Sequence, residues 1–271
     1  MPNPTYSDST SAYSRNTSVN LNYLWDGEKW IPETSSTLSL NYILSNSSYS
    51  ISKFGHNPDV SNAVSIGSPE TVWDGSSEYV FPPDSGTGVQ INSDDNGDNQ
   101  EVIIEGLDEN FYKQSWTGNL NGTGNVDVGG TWSRVYRAYN NDSTDFAGDV
   151  DIHASGAATS YAKIFSSNNQ TLMAVYTVPE GCTGYITKYN LSAQNTSSSS
   201  EIGFTAQLKT REYGKTFRVQ EITSVSTSSS AKKSLIFPLP LKPKTDVIFN
   251  IVSANGNNGS VNASFDASLM H

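Results

Sequence analysis

The chain has 271 residues, with 27 Asp/Glu against 16 Lys/Arg and a formal net charge of −11. Only 35% of its residues are hydrophobic, yet its 10 Phe, 14 Tyr and 5 Trp are too many for an unfolded chain, so disorder is excluded. The single cysteine excludes an intrachain disulfide. No apolar run approaches the ~20 residues of a membrane helix, and we expect no signal peptide because the basic and apolar regions of one are missing.

The charge is divided unevenly along the chain. Residues 1–160 contain 21 Asp/Glu and 6 Lys/Arg, a balance of −15, whereas residues 161–271 contain 6 and 10, a balance of +4. An acidic front half repels nucleic acid, and the charges of the back half are scattered, so we expect no nucleic-acid partner. The asymmetry indicates two parts with different neighbours.

Residues 1–50 are predicted to form an extended N-terminal arm, because prolines and Ser/Asn/Thr clusters separate the apolar residues. Asp26-Gly27 is the turn signal of a small hairpin within it. Aromatic residues without enough bulk for a core are typical of a segment that docks onto another protein, although folding back onto its own domain stays open. The predicted interface residues are Tyr23, Trp25, Trp30 and Tyr42.

Residues 51–160 are predicted to form an acidic β-sandwich-like region, in which alternating apolar and polar residues are separated by polar turns. No window shows the apolar stripe of an amphipathic helix. The predicted strands are 89–92, 101–105, 111–116, 131–139 and 149–153.

Residues 161–271 are predicted to form a second β-sandwich-like region, so the fold class is all-β: antiparallel sandwich or jelly-roll-like regions behind the arm. Pro238, Pro240 and Pro243 cannot donate hydrogen bonds to a neighbouring strand, so we expect their strand to lie at a sheet edge or to leave the sheet early. The predicted strands are 171–178, 184–191, 203–210, 216–223, 234–237, 245–252 and 260–265.

One acidic loop is a candidate metal site, and it contains Asp94, Asp95 and Asp98. Hard cations such as Ca²⁺ bind several carboxylate oxygens on a tight turn. The loop lacks the alternating spacing and the distal Glu of an EF-hand, so a solvated hairpin tip is the favoured interpretation. We therefore expect no cofactor.

Catalytic motifs are missing from the sequence: it has no nucleophile elbow, phosphate-binding Gly loop or dinucleotide fingerprint. Cys182 has no His nearby in sequence, which favours a small residue at a strand-entry turn over a nucleophile. His56 is interpreted as part of a turn that leads the arm into the domain. The chain is predicted not to be an enzyme, although a carboxylate pair for glycoside hydrolysis stays open.

Several short segments, in their order and spacing, resemble a family of structural proteins in the virions of tailed phages of aquatic bacteria, such as cyanophages. The likeness covers roughly residues 50 to 250, and only the order of the segments makes it specific. The segments are 54–60 (FGHNPDV), 70–75 (ETVWDG), 79–82 (YVFP), 102–111 (VIIEGLDENF), 132–137 (WSRVYR), 172–179 (LMAVYTVP) and 237–241 (FPLPL).

The resemblance implies a virion location more than a particular role. The favoured role is an exterior capsid decoration or head-fibre protein that acts by adhesion to other virion proteins, such as the major capsid protein or a tail or neck protein. Phage components of this kind assemble as symmetric homo-oligomers, often trimers. The alternatives are a tail-associated fibre adaptor or host-glycan adhesin and, from another class, a tail polysaccharide depolymerase. No membrane partner is expected.

Overall fold

The computed structural model describes residues 13–16, 21–25, 30–33, 49–195 and 201–271. Every regular element in these ranges is a β-strand and every named ladder is antiparallel, which confirms the all-β prediction. None of the described residues belongs to a helix long and apolar enough to span a bilayer. Three strands of the arm form a meander: β1 (Tyr13–Asn16), β2 (Leu21–Trp25) and β3 (Trp30–Glu33).

The predicted arm hairpin is present, because β2 and β3 pair with Trp25 opposite Trp30. Its turn residues, Asp26 and Gly27, lie outside the described residues. The arm is followed by two sandwiches, each with its own buried core.

The first sandwich encloses its core between two sheets, with the strand orders β10-β7-β8 and β12-β11-β6-β9. Buried and partly exposed residues alternate along β6 and most of β7, which explains why these two strands form, since every second side chain enters the core. The strands are β6 (Val89–Ser93), β7 (Glu101–Asp108), β8 (Lys113–Asn119), β9 (Val126–Asp127), β10 (Trp132–Asn140), β11 (Val150–Ala154) and β12 (Ser160–Ile164).

The second sandwich consists of one sheet ordered β13-β18-β15-β16, with β5 also paired to β18, and one ordered β17-β14-β19-β4. Its strands are β4 (Tyr49–Val60), β5 (Glu70–Thr71), β13 (Val175–Thr177), β14 (Thr183–Asn195), β15 (Gly203–Arg211), β16 (Arg218–Ser226), β17 (Ser230–Leu241), β18 (Asp246–Ala254) and β19 (Gly259–Met270).

Strand β18 lies between the two cores. Its residues 246–252 are all buried, and Phe249 and Ile251 join the core of the second sandwich while Ile248 joins that of the first. A continuous buried run is what a strand covered on both faces requires. The two sandwiches therefore share a sheet as a common wall.

Strand β4 precedes the first sandwich in sequence but pairs with β19 of the second. The predicted division into residues 1–50, 51–160 and 161–271 stays a prediction about domains, and the ladders add that residues 49–71 hydrogen-bond within the second sandwich. Strand β17, which contains Pro238 and Pro240, pairs with β14 alone among the described strands. This confirms the predicted edge position.

Candidate functional site

Three of the short segments singled out in the sequence, 54–60, 70–75 and the first part of 172–179, meet where the two sandwiches join. The backbone amide of His56 donates to the carbonyl oxygen of Leu172 at 3.3 Å, and that of Ala174 donates to the carbonyl oxygen of Val72 at 2.9 Å. Stretches far apart in sequence are thereby locked together. We call this unit the junction, and it comprises residues 54–60, 70–75 and 172–176.

Gly55 allows the closest backbone approach in the junction. A Cβ atom at this position would lie 2.2 Å from the amide nitrogen of Ala174 and 2.3 Å from the carbonyl oxygen of Val72. Both atoms belong to the backbone, so neither can move aside cheaply. Only glycine leaves the space that the interlocked segments occupy.

His56 lies in strand β4 opposite Asn262, so the interpretation of it as part of a turn was wrong. The Asn57-Pro58 dipeptide imitates a turn signal. However, β4 is an edge strand, where the missing N–H of a proline need not cost a ladder hydrogen bond. The side chain of Asn57 is buried and donates to Glu70 Oε2 at 2.9 Å, which ties β4 to β5 at this position.

Asp74 faces His56 across the junction, with 3.7 Å between Asp74 Oδ1 and His56 Nδ1. That distance is too long for a hydrogen bond, and Oδ1 is a buried atom without a hydrogen-bond partner among the described residues. Burial raises the pKa of Asp74, although its contacts with His56 and Leu172 oppose the rise. A His–carboxyl pair can transfer protons, but at 2% exposure the Asp74 carboxyl is enclosed away from a substrate.

A buried charge cluster forms the second link between the sandwiches. Arg134 of β10 donates from Nε to Asp246 Oδ1 at 2.7 Å and from Nη2 to Asp246 Oδ2 at 3.0 Å. Arg211 donates to the same carboxylate from Nε at 2.9 Å. The rings of Phe81 and Phe111 lie 5.0 and 4.8 Å from the Arg134 guanidinium carbon. Bidentate pairing with aromatic faces on the guanidinium is typical of an enclosed structural arginine.

A cavity of about 390 Å³ lies beside the junction and is lined by residues that include Lys53, Glu105 and Tyr136. The ammonium group of Lys53 donates to the carbonyl oxygen of Tyr136 and is almost completely enclosed. Burial and the nearby Arg137 lower the pKa of Lys53 to about 7, against the opposing effect of Glu105.

A second opening, of about 480 Å³, is lined by residues that include Trp73, Asp149, Asp151 and Lys163. Two of its carboxylates have partners within the chain: Lys163 Nζ lies 3.3 Å from Asp149 Oδ2, and Ser160 donates to Asp151. Trp73 is 3% exposed, so it offers little ring surface on which a sugar could stack.

The structure places the three acidic loop residues differently. Asp98 is 1% exposed, and its Oδ2 accepts hydrogen bonds from Ser93 Oγ at 2.6 Å and from the Gly148 amide at 3.0 Å. Burial alone would raise the pKa of Asp98, but these hydrogen bonds outweigh it and hold the pKa below its ordinary value. Asp98 thus joins two loops of the first sandwich.

Asp94 and Asp95 are exposed, and each accepts a backbone hydrogen bond, from Asp149 and Gly97 respectively. Their loop links β6 to β7, which belong to different sheets, so the interpretation of it as a hairpin tip was wrong. In the part of the chain that the structure describes, no group of three or more His, Cys, Asp or Glu is arranged to hold a metal ion.

Cys182 follows a turn and directly precedes β14, as predicted. Its Sγ lies 3.4 Å from Nδ1 of His271 and 3.9 Å from the hydroxyl oxygen of Tyr49. Sequence reasoning missed this histidine because 89 residues separate it from the cysteine. At 1% exposure, the thiol is enclosed rather than presented to a substrate.

The predicted interface residues belong to the arm. Tyr23 and Trp25 lie in β2 and Trp30 lies in β3, so the meander places them on neighbouring strands. Tyr42 lies outside the described residues. Their role in an interface stays a prediction.

Comparisons with known proteins give no family. No family model matches the chain, and no curated protein matches it. A structure of infectious bursal disease virus, Gx strain, is 11% identical and similar over 82% of this chain and 77% of that one, with a TM-score of 0.21. The crystal structure of the VP2 subviral particle of that virus is 10% identical over 83% and 73%, with a TM-score of 0.18. At these TM-scores the similarity does not establish a shared fold.

Proposed function

We propose that the chain is a non-enzymatic structural protein of a tailed-phage virion, located on the head exterior as a decoration or head-fibre protein. One observation carries the proposal: segments that resemble phage virion proteins form the junction. Their backbones interlock, and the side chain of Asn57 donates to Glu70 within the junction. Residues used in this way keep a body rigid rather than act on a substrate.

A rigid body of this kind acts by adhesion. The shared sheet and the Arg134–Asp246 pair fix the two sandwiches relative to each other. The aromatic residues of the arm would bury area on a neighbouring virion protein, since a few aromatic anchors commonly supply most of the binding energy of an interface.

Two other functions are distinguished by simple experiments. A tail-associated adaptor or glycan adhesin would bind host cells, and a depolymerase would release reducing sugars from host polysaccharide. Trp73 is enclosed, and Asp149 and Asp151 in the opening beside it already bind Lys163 and Ser160. These observations favour neither of the two functions.

The proposal is tested by adding purified protein separately to phage heads and tails that lack it, followed by sedimentation. We expect the protein to co-sediment with heads at a fixed stoichiometry and to release no sugar from polysaccharide. Binding to tails or host cells alone, or sugar release abolished by one Asp or Glu substitution, would refute the head-exterior role.

A further inference from the structure

Large apolar side chains are exposed on two strands of the second sandwich. Ile236 and Phe237 of β17 are 81% and 65% exposed, and Val219 and Ile222 of β16 are 46% and 61% exposed. Single exposed apolar residues are common, but four on consecutive strands mark a candidate interaction surface.

Both strands are open edges that lie next to each other. Among the described strands, β16 pairs only with β15 and β17 only with β14. The two are joined by the short turn 227–229, and Lys233 Nζ lies 2.6 Å from Glu221 Oε1 of the other strand, although the strands belong to different sheets. Unpaired backbone groups beside apolar side chains are a ready template for another chain. We call β16 and β17 together the edge surface.

The edge surface is basic. Strands β16 and β17 contain Arg218, Lys232 and Lys233 against Glu221, a balance of +2. Arg218 and Lys232 are exposed and form no ion pair with any described residue, whereas Lys233 pairs with Glu221. A partner that covers this surface must supply negative charge.

The same chain offers such a charge on the first sandwich. Residues 93–101 and 141–151 contain eight Asp/Glu and no Lys/Arg, a balance of −8. These two loops touch, because the amide of Asp149 donates to Asp94 Oδ1 at 2.7 Å. Asp95, Asp142 and Asp145 are exposed on them. We call them the acidic loop pair.

We propose that the edge surface of one copy docks on the acidic loop pair of a second copy. Two edge surfaces would repel each other, since both are positive, so the contact joins different patches and can repeat into a ring or a filament. The apolar side chains provide adhesion, and the charges set orientation and association rate. This contact goes beyond the proposed virion role and does not depend on it.

The apolar part of the proposal is tested by sedimentation velocity of the full chain in low salt at about 100 µM, where a micromolar affinity would be saturated. We expect oligomers, and about tenfold or greater weakening by Ile236→Ser with Phe237→Ser. The matched control is Ile66→Ser, because Ile66 is 75% exposed on another part of the body. A monomeric wild type, or equal effects of both variants, would overturn the proposal.

The head-to-tail geometry is tested by charge reversal. The variant Arg218→Glu/Lys232→Glu and the variant Asp95→Lys/Asp142→Lys should each be monomeric alone, yet associate when mixed, since each then meets a complementary surface. Recovery on mixing also shows that both variants are folded. Failure to recover would overturn the proposal, whereas a monomeric chain that still joins particles would refute this contact and leave the virion role standing.

Discussion

Arg134 of β10 and Asp246 of β18 form a bidentate ion pair between the two sandwiches, with side chains that are 3% and 2% exposed. The carboxylate also binds Arg211 and Thr177, so its lone pairs are used fully. Arg134 lies in the WSRVYR segment of the phage resemblance. That segment therefore contributes to how the two bodies are joined.

Replacing Arg134 by Met should lower the free energy of unfolding by about 3 kcal/mol or more, because it removes one of the two positive charges that bind the buried Asp246 carboxylate. Denaturant unfolding measures the change. The control is Arg137→Met, whose pair with Glu105 is exposed at 47% and 32% and should cost less than about 1 kcal/mol. Equal losses in the two variants would contradict a structural role for the buried pair.

Gly55→Ala should destabilise the protein by about 2 kcal/mol or more, because the new methyl group would overlap backbone atoms of Ala174 and Val72. Gly67→Ala is the matched control, since a Cβ atom there meets nothing within 4 Å. Its effect should stay within about 1 kcal/mol in either direction. Thermal unfolding of the two variants side by side measures the difference, and similar melting temperatures would show that the junction tolerates a side chain.

Local patterns predicted most of the strands. The predicted strand 245–252 corresponds to β18 (Asp246–Ala254), and 203–210 corresponds to β15 (Gly203–Arg211), because alternation and turn residues are local properties of a sequence. The edge position of β17 could also be predicted from the local sequence, because a proline lacks the N–H group wherever it stands.

Long-range relationships could not be predicted in this way. Arg134 and Asp246 are 112 residues apart, and nothing local marks either as the other's partner. His56 was misplaced because Asn57-Pro58 imitates a turn, whereas the ladder with β19 decides its conformation. Arg218 and Lys232 lie on neighbouring strands only because β16 and β17 are adjacent edge strands of different sheets.

Stability should rise with pH above neutrality because of Lys53. Burial lowers its pKa from 10.5 to about 7, so between these values the unfolded chain binds a proton that the folded chain has lost. Because the unfolded state binds more protons in this pH range, the free energy of unfolding increases with pH. The rise should run from about pH 7 until tyrosines begin to ionise near pH 10.

Urea midpoints measured across this range test the Lys53 prediction. Lys53→Met should flatten the slope, whereas Lys232→Met, which changes an exposed lysine, should leave it intact. A slope unaffected by Lys53→Met would assign the pH dependence to other groups.

The arm residues Trp25 and Trp30 should anchor the protein on its neighbour in the particle. Replacing both by Ala should weaken attachment to heads strongly, since buried interface aromatics contribute about 2 kcal/mol or more each. Tyr112→Ala is the control because Tyr112 is an exposed aromatic residue of the body, at 57%. Quantitative co-sedimentation measures the affinities, and unchanged attachment of the tryptophan variant would assign the anchoring to another surface.

The most direct test of the virion role is the copy number and position of the protein in purified phage particles, obtained by quantitative mass spectrometry together with a cryo-electron microscopy map. We predict many copies, in a number set by the symmetry of the head, on the outer surface of the capsid. A few copies at the tail tip, or none in the particle, would contradict the account.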